Sequence, residues 1–309
     1  MTAPIPSSGL AQSSAMSRLM PFIVAAIGIG LMSLMDAFMK EAASATGAYT
    51  ATVLRALVGA AAIAPVWLWR RTNWPDKTTT RLHLERGIVS ALMALSWFYA
   101  LTKLPLAEAI AISFVAPLLA LYFARVLLGE VIQPGAIFAS ILGLAGTIVI
   151  IGGKIGQGDF NEDTLFGLLS LMISALLYAY NFVVIRKQSQ RAGPIEVATF
   201  HSGVSGLFLL LFVPFFATPV VDGVMPAIIA GGVLTVAGSM AIAWAYARAE
   251  AQALVPIEYS GFLWASILGW AFFRESVTLP TIAGTVLIVT GCWIATRKTA
   301  DQPNNTMPD

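Results

Sequence analysis

The sequence predicts an all-α integral membrane protein, with ten transmembrane helices arranged as two inverted five-helix repeats. Of its 309 residues, 58% are hydrophobic and only 11% are charged, whereas soluble domains carry about 25% charged residues. The mean hydropathy of the chain is +0.80. Many long apolar windows follow one another with short connectors, and the two halves of the chain resemble each other.

A membrane-spanning helix needs about 20 mostly apolar residues, and ten windows of the chain meet this requirement. They are 19–40, 48–69, 82–101, 106–127, 133–152, 164–186, 195–216, 224–247, 253–273 and 279–297. A transmembrane β-barrel would instead show segments of about ten residues that alternate in polarity. The polar segments 1–18 and 298–309 are predicted to be cytoplasmic tails, so the whole folded part lies in the membrane.

The distribution of lysine and arginine predicts the orientation, because cytoplasmic loops are enriched in both. With a cytoplasmic N-terminus, thirteen of the 18 basic residues fall on the cytoplasmic side and four on the other, while Arg55 lies within a span. Both termini are therefore expected in the cytoplasm, and the chain is expected in a bacterial inner membrane.

The two halves match at an offset of 145 residues. Three pairs carry this match: Asp36 with Asn181, Glu130 with Glu275, and Gly146 with Gly291. The repeats are predicted over 19–152 and 164–297. Because five spans is an odd number, the second repeat must enter the membrane from the opposite side. Such inverted repeats place a solute site near the middle of the membrane, between the halves.

Two segments, Trp97–Glu130 and Trp244–Glu275, resemble the drug/metabolite transporter superfamily, and more narrowly its ten-helix EamA-type members. The shared features are a Tyr-Ala pair, the helix break at Pro117, the Gly129–Glu130 ending and the tandem five-helix repeat. The resemblance spans about residues 19–297. In the second half, Arg274 replaces the usual glycine before Glu275, and Phe262 stands where Pro117 would map. The halves are therefore expected to be functionally unequal.

The resemblance implies a secondary-active transporter that works by alternating access and needs no bound cofactor. The chain is most similar to the branch of amino-acid exporters, including aromatic amino-acid exporters, so export of amino acids or related small metabolites is expected. The alternative is an uptake carrier for S-adenosylmethionine, riboflavin or a similar metabolite. The expected partners are a small-molecule solute and the lipid bilayer, with no nucleic acid, and the assembly is a monomer or a homodimer.

Glu258 is the first candidate for solute binding. A charged group at mid-membrane costs about 2.5–3.5 kcal/mol on insertion scales, so it indicates function or pairing. Glu258 follows Pro256, which removes a backbone donor and bends the helix. The carboxylate is expected to bind an amino group or take up a proton, and the alternative is a paired or hydrated group. Exchange to glutamine is predicted to impair flux of an amino-containing solute.

Four further polar residues are candidates for proton coupling or for structural roles. Asp36 and Arg55 lie on adjacent antiparallel helices, where a structural ion pair is favoured over a functional one. His201 lies at a depth similar to that of Glu258, so a proton relay is conceivable, although a hydrogen-bonded structural histidine is favoured. Glu108 is interpreted mainly as a cap, because a carboxylate suits a helix N-terminus.

Aromatic side chains are the remaining candidates for the solute site. The resemblance places several of them around the cavity, where stacking and cation–π contacts would suit an aromatic or cationic solute. The predicted solute-binding set, besides Glu258, is Trp97, Tyr99, Tyr178, Asn181, Tyr259 and Trp264. The alternative is an interfacial aromatic belt.

A membrane-embedded enzyme or sensor is the alternative from another functional class. The single cysteine, Cys292, forms no metal constellation, and no Walker A, H-E-x-x-H or G-x-S-x-G motif occurs. No nucleophile or metal set at fixed spacing is visible, and no soluble output domain is expected. The chain is therefore predicted not to be an enzyme.

Overall fold

The computed structural model describes residues 8–70, 73–116, 119, 122–123, 134–156, 161–189, 191–246, 248 and 260–300. These residues form helices and connecting turns, with no strand among them. In chain order the helices are α1 Ser8–Thr46, α2 Ala48–Arg70, α3 Lys77–Lys103, α4 Leu106–Ser113, α5 Pro134–Gly156, α6 Glu162–Ser189, α7 Pro194–Leu210, α8 Met225–Tyr246, α9 Ser260–Phe273 and α10 Leu279–Ala300. A four-residue helix, Val213–Phe216, lies between α7 and α8.

Within the described residues, five segments are long and apolar enough to cross a membrane. They are Leu19–Thr46, Ala48–Arg70, Lys77–Lys103, Glu162–Ile185 and Met225–Ala245. Three shorter apolar stretches lie in α5, α9 and α10. The predicted all-α class is confirmed, and the count of ten spans remains a prediction.

Three helices end six or more residues away from the ends of the predicted windows. α4 was expected to reach 127 but ends at Ser113. α1 continues six residues beyond 40 and ends before Gly47, whose φ of 85° suits the residue that follows a helix. α7 was expected to reach 216 but ends at Leu210. The reason is Pro214, which has no N–H to donate to the carbonyl of Leu210 and would clash with it in a continuous helix.

The packing of the helices follows a simple exchange rule. α1 packs against α8, and the corresponding helices α6 and α3 also pack against each other. In the same way, α2 packs against α8 and α7 packs against α3. Three further pairs, α5 with α10, α2 with α7, and α4 with α9, join corresponding helices of the two halves. Replacing each helix by the one five positions along therefore maps these packing pairs onto one another.

Contacts along α1 and α8 show how the paired helices run. Gly28 in the middle of α1 lies against Ile242, whereas Met39 closer to its end lies against Gly231. The two helices are therefore antiparallel. α5 and α10 behave in the same way, because Gly153 meets Pro280 while Gly146 meets Ile288.

The bundle has two chemically different ends. One end, called here the basic end, carries Arg70, Lys77, Arg191 and Arg248, and it holds the connectors around Asn73 and Gly193. The opposite end holds the α1–α2 turn and the α7–α8 connector, where Thr46 Oγ1 donates a hydrogen bond of 2.8 Å to the carbonyl of Pro219. Each predicted site residue can be located relative to these two ends.

Candidate functional site: polar groups inside the helix bundle

Asp36 and Trp97 meet between α1 and α3. The indole Nε1 of Trp97 donates a hydrogen bond of 2.9 Å to Asp36 Oδ1. Asp36 lies ten residues before the end of α1, which places it about 15 Å from the opposite end of the bundle. Both side chains are half-buried. A carboxylate that faced acyl chains at this depth would be strongly unfavourable, so its exposed part faces the interior of the bundle.

Arg55 lies on α2 at a similar depth and is buried. Its NH1 group donates a hydrogen bond of 2.8 Å to Thr235 Oγ1 on α8. The guanidinium carbon lies 5.2 Å from the ring centroid of Phe98, a cation–π distance. The Nε group is buried and has no hydrogen-bond partner. Arg55 is therefore a cation held in place by Thr235 and Phe98, with its Nε donor unpaired.

The favoured interpretation of Asp36 and Arg55 as a direct ion pair is not what the structure shows. Among the ion pairs of the described residues, none joins the two, although they are close enough to interact electrostatically. The physical reason is that each has another partner: Trp97 holds the carboxylate, and Thr235 and Phe98 hold the guanidinium. Two opposite charges are thus held apart inside the bundle.

The predicted aromatic set is spread over several helices. Tyr99 on α3, Tyr178 on α6 and Trp264 on α9 are exposed by 39%, 41% and 39%. Trp264 lies against Gly30 of α1. These large side chains are accessible rather than packed into the core.

Asn181 is buried and His201 is half-buried. Each has one buried atom without a hydrogen-bond partner: Oδ1 of Asn181 and Nδ1 of His201. His201 lies within electrostatic range of Arg55 and Arg86. Its suggested relay partner Glu258 lies outside the described residues, as does Tyr259. The relay and the solute-binding roles of these two residues remain predictions.

A hydrogen-bonded network near the basic end was not predicted from the sequence. Arg86 NH1 donates to Gln188 Oε1 over 2.7 Å, and Gln188 Nε2 lies 2.6 Å from His83 Nδ1. His83 Nε2 lies 3.0 Å from Glu196 Oε1. Because the carboxylate accepts and the amide NH₂ donates, the imidazole accepts through Nδ1 and donates through Nε2. The network ties α3 to α6 and α7.

One signal in the sequence could have identified this network. His83 and Arg86 are three residues apart, so they share one face of α3. Both side chains are buried, and polar groups at the same face of an apolar helix require partners from the helices packed on it. The spacing alone does not name Gln188 and Glu196, which come from a distant part of the chain.

Glu275 forms a second polar junction, at the opposite end. It makes an ion pair with Lys40, and its Oε2 accepts the backbone N–H of Leu106 over 2.8 Å. Lys40 Nζ also donates to the carbonyl of Leu104 over 2.7 Å. This junction, called here the Lys40–Glu275 clamp, joins the end of α1 to the end of α9 and to the α3–α4 connection.

The clamp bears on the interpretation of Glu108 as a cap. The first N–H of α4, that of Leu106, is bound by Glu275 rather than by Glu108. Glu108 lies in the first turn of α4 and is buried. Its Oε1 lies 3.5 Å from Thr281 Oγ1 on α10. The geometry therefore links Glu108 to α10.

No group of three or more His, Cys, Asp or Glu side chains that could hold a metal ion occurs in the part of the chain that the structure describes.

Comparison with known proteins identifies relatives that are transporters. The chain is 26% identical over 272 residues to the pseudopaline exporter CntI of Pseudomonas aeruginosa, covering 87% of this chain and 93% of the relative. It is 23% identical to an S-adenosylmethionine uptake transporter of Rickettsia prowazekii, covering 83% and 85% of the two chains. An aromatic amino acid exporter, YddG of Ancylobacter novellus, is 30% identical over 122 residues, or 38% and 42% of the chains.

A solved crystal structure shares the fold. It matches with a TM-score of 0.62 at 22% identity, covering 91% of this chain and 99% of the other. The sequence pattern of the EamA-like transporter family matches residues 16–152 and again 165–297. These two matches include most of the chain, in agreement with the resemblance found from the sequence. The chain therefore belongs to the EamA-like transporter family.

Proposed function

We propose that the protein is a secondary-active transporter that exports amino acids or related small metabolites across the bacterial inner membrane by alternating access. The observation that carries this proposal is the pair of separated charges inside the bundle, Asp36 and Arg55, each fixed by its own neighbours. Charges in the membrane interior are unfavourable unless they pair or serve a solute. Membership in a transporter family supports the same function.

Alternating access requires contacts that close one end of the transporter and break when it opens. The Lys40–Glu275 clamp has the required position, because it joins helices of both halves at one end of the bundle. We assign the clamp to the closed form of that end. The exposed Tyr99, Tyr178 and Trp264, with Asn181, Glu258 and Tyr259, remain proposed solute contacts.

Export is favoured over uptake by the names of two relatives, the pseudopaline exporter and the aromatic amino acid exporter. The relative that takes up S-adenosylmethionine supports the alternative of an uptake carrier. S-Adenosylmethionine also carries an amino-acid group, so this solute of the uptake alternative is chemically related to amino acids.

The test is transport by the purified protein in liposomes, with a panel of radiolabelled amino acids, S-adenosylmethionine and riboflavin. We expect saturable transport of amino acids that changes when a pH gradient is imposed. Transport of S-adenosylmethionine or riboflavin alone would support the uptake alternative. Liposomes that carry none of these compounds faster than protein-free liposomes would contradict the proposal.

Glu258→Gln tests the proposed role of Glu258 in the same assay. A neutral amide cannot attract a solute ammonium group or take up a proton. We therefore expect flux of amino-containing solutes to fall while the amount of protein in the membrane stays unchanged. Normal flux would remove Glu258 from the mechanism.

A further inference from the structure

The separated charges of Asp36 and Arg55 indicate what kind of solute the bundle accepts. Asp36 is held by Trp97, and Arg55 lies over Phe98, the next residue of α3. One turn of one helix therefore fixes both charges. Adjacent residues of a helix point about 100° apart, so their partners are kept from collapsing onto each other.

Each charge is bound firmly but incompletely. Thr235 Oγ1 donates its own proton to the carbonyl of Gly231 over 2.7 Å, so its lone pair is turned towards Arg55. The guanidinium keeps a buried Nε donor without a partner. Asp36 accepts one neutral hydrogen bond from an indole, and no cationic side chain forms a direct ion pair with it among the described residues. Buried charges of this kind are expected to be matched by opposite charges.

We propose that Asp36 and Arg55 recognise the two charged groups of a zwitterionic solute: Asp36 binds the ammonium group, and Arg55 binds the carboxylate. This inference rests on the proposed transport function and narrows its substrate class to compounds with an amino-acid group. The indole of Trp97, hydrogen-bonded to Asp36, adds an aromatic face suited to a cation. A guanidinium is suited to a carboxylate because its donors match the two oxygen atoms.

The experiment compares three probes as competitors of radiolabelled L-phenylalanine uptake into proteoliposomes. They are L-phenylalanine itself, phenethylamine, which lacks the carboxylate, and 3-phenylpropionate, which lacks the ammonium group. For the wild-type protein, we expect each one-charge analogue to compete at least about tenfold less well than phenylalanine, since a site built for a polar group rejects ligands that lack it.

The two charge variants should change this pattern in opposite ways. For Asp36→Asn, we expect competition by phenylalanine and phenethylamine to become about tenfold weaker, while competition by 3-phenylpropionate stays unchanged. For Arg55→Gln, we expect competition by phenylalanine and 3-phenylpropionate to become weaker, while competition by phenethylamine stays unchanged. Lys103→Gln, which removes a charge from a partly exposed pair with Asp163, is the matched control and should change none of the three.

Conservative variants keep the test valid if loss of a charge prevents folding. Asp36→Glu and Arg55→Lys retain the charges and should retain the preference for phenylalanine. Trp97→Phe removes the indole donor to Asp36. It should weaken competition only by the two probes that carry an ammonium group.

The outcomes separate this inference from the proposed function. The wild-type protein could transport amino acids while the charge variants weaken competition by all three probes equally or by none of them. That result would overturn the inference and leave the transport function intact. Wild-type liposomes that transport no amino acid would overturn both.

Discussion

Among the described residues, Arg274 is the one non-glycine residue with a positive φ, 56°. In this left-handed region a side chain costs roughly 1–2 kcal/mol, because Cβ approaches the neighbouring carbonyl. The guanidinium lies 5.4 Å from the ring of Trp270, a contact that offsets part of the strain. The unusual arginine noticed in the sequence thus occupies a position that glycine would occupy without strain, directly before the clamp residue Glu275.

Replacing Arg274 by glycine and by alanine separates the backbone effect from the loss of the guanidinium. Both substitutions remove the contact with Trp270, but only glycine adopts the positive φ without cost. We expect Arg274→Gly to be more stable than Arg274→Ala by about 1 kcal/mol. Thermal unfolding in detergent measures the difference. Equal stability of the two variants would contradict the assignment of strain.

The Lys40–Glu275 clamp is expected to contribute to the stability of the folded protein. The Lys40 and Glu275 side chains are exposed by only 10% and 18%. Glu275→Gln keeps an acceptor for the N–H of Leu106 but leaves the Lys40 charge uncompensated. Removing one partner of a buried ion pair is strongly destabilising, so we expect a loss on the order of 3 kcal/mol, measured by thermal unfolding in detergent.

The exposed pair of Lys103 and Asp163 is the matched control for the clamp. Its side chains are exposed by 27% and 67%, and solvent-exposed pairs contribute about 0–1 kcal/mol. Asp163→Asn should therefore leave the unfolding temperature nearly unchanged. A similar loss in both variants would show that burial does not distinguish the clamp from an ordinary surface pair.

Candidate polar residues within apolar spans could be identified from the sequence, but the residues that they contact could not. Asp36 and Arg55 were identified because charges in a membrane span are unfavourable. Their assignment to each other assumed that only adjacent helices mattered. The actual partners Trp97 and Thr235 come from α3 and α8, and that packing follows from the three-dimensional arrangement. Polar networks such as that of His83 and Gln188 are hidden from the sequence for the same reason.

At the scale of single helices, the sequence predicts where most helices lie, because each span requires a long apolar run. The errors lie at the ends. Gly47 permits a turn six residues later than expected, and Pro214 ends α7 early. Hydropathy averages over a window, so it does not register a single glycine or proline.

The contact between α5 and α10 depends on two glycines. A Cβ atom added at Gly146 would lie 2.5 Å from the carbonyl oxygen of Gly284 and 2.6 Å from Ile288 Cγ1. Small residues permit this close approach of membrane helices. Gly146→Ala is therefore expected to destabilise the protein by about 1–3 kcal/mol through overpacking, measured by thermal unfolding in detergent.

Gly152 provides the control on the same helix. A Cβ atom added there meets nothing within 4 Å, so Gly152→Ala should be neutral or raise stability by up to about 1 kcal/mol through helix propensity. If both substitutions had the same effect, the contact between Gly146 and Gly284 would not be a determinant of stability.

At the scale of the whole molecule, the exchange rule that relates the packing pairs has a consequence for transport. Helices of one half pack against helices of the other half, as α1 does against α8 and α6 against α3. This correspondence is what the proposed alternating-access mechanism requires, because inverted repeats can exchange equivalent contacts. In that proposal the Lys40–Glu275 clamp closes one end of the transporter.

The sidedness of the bundle is the last prediction. The structure places Asn73 and Asp222 at opposite ends, both exposed, and the excess of arginine and lysine assigns the basic end, with Asn73, to the cytoplasm. In a Cys292→Ala background, we expect an impermeant maleimide to label Asp222→Cys in intact bacteria and Asn73→Cys only in inverted membrane vesicles. The unmodified Cys292→Ala protein controls for background labelling. The reverse pattern would invert the orientation, and labelling of both positions from one side would contradict the fold, because α2 and α7 run antiparallel between these two ends.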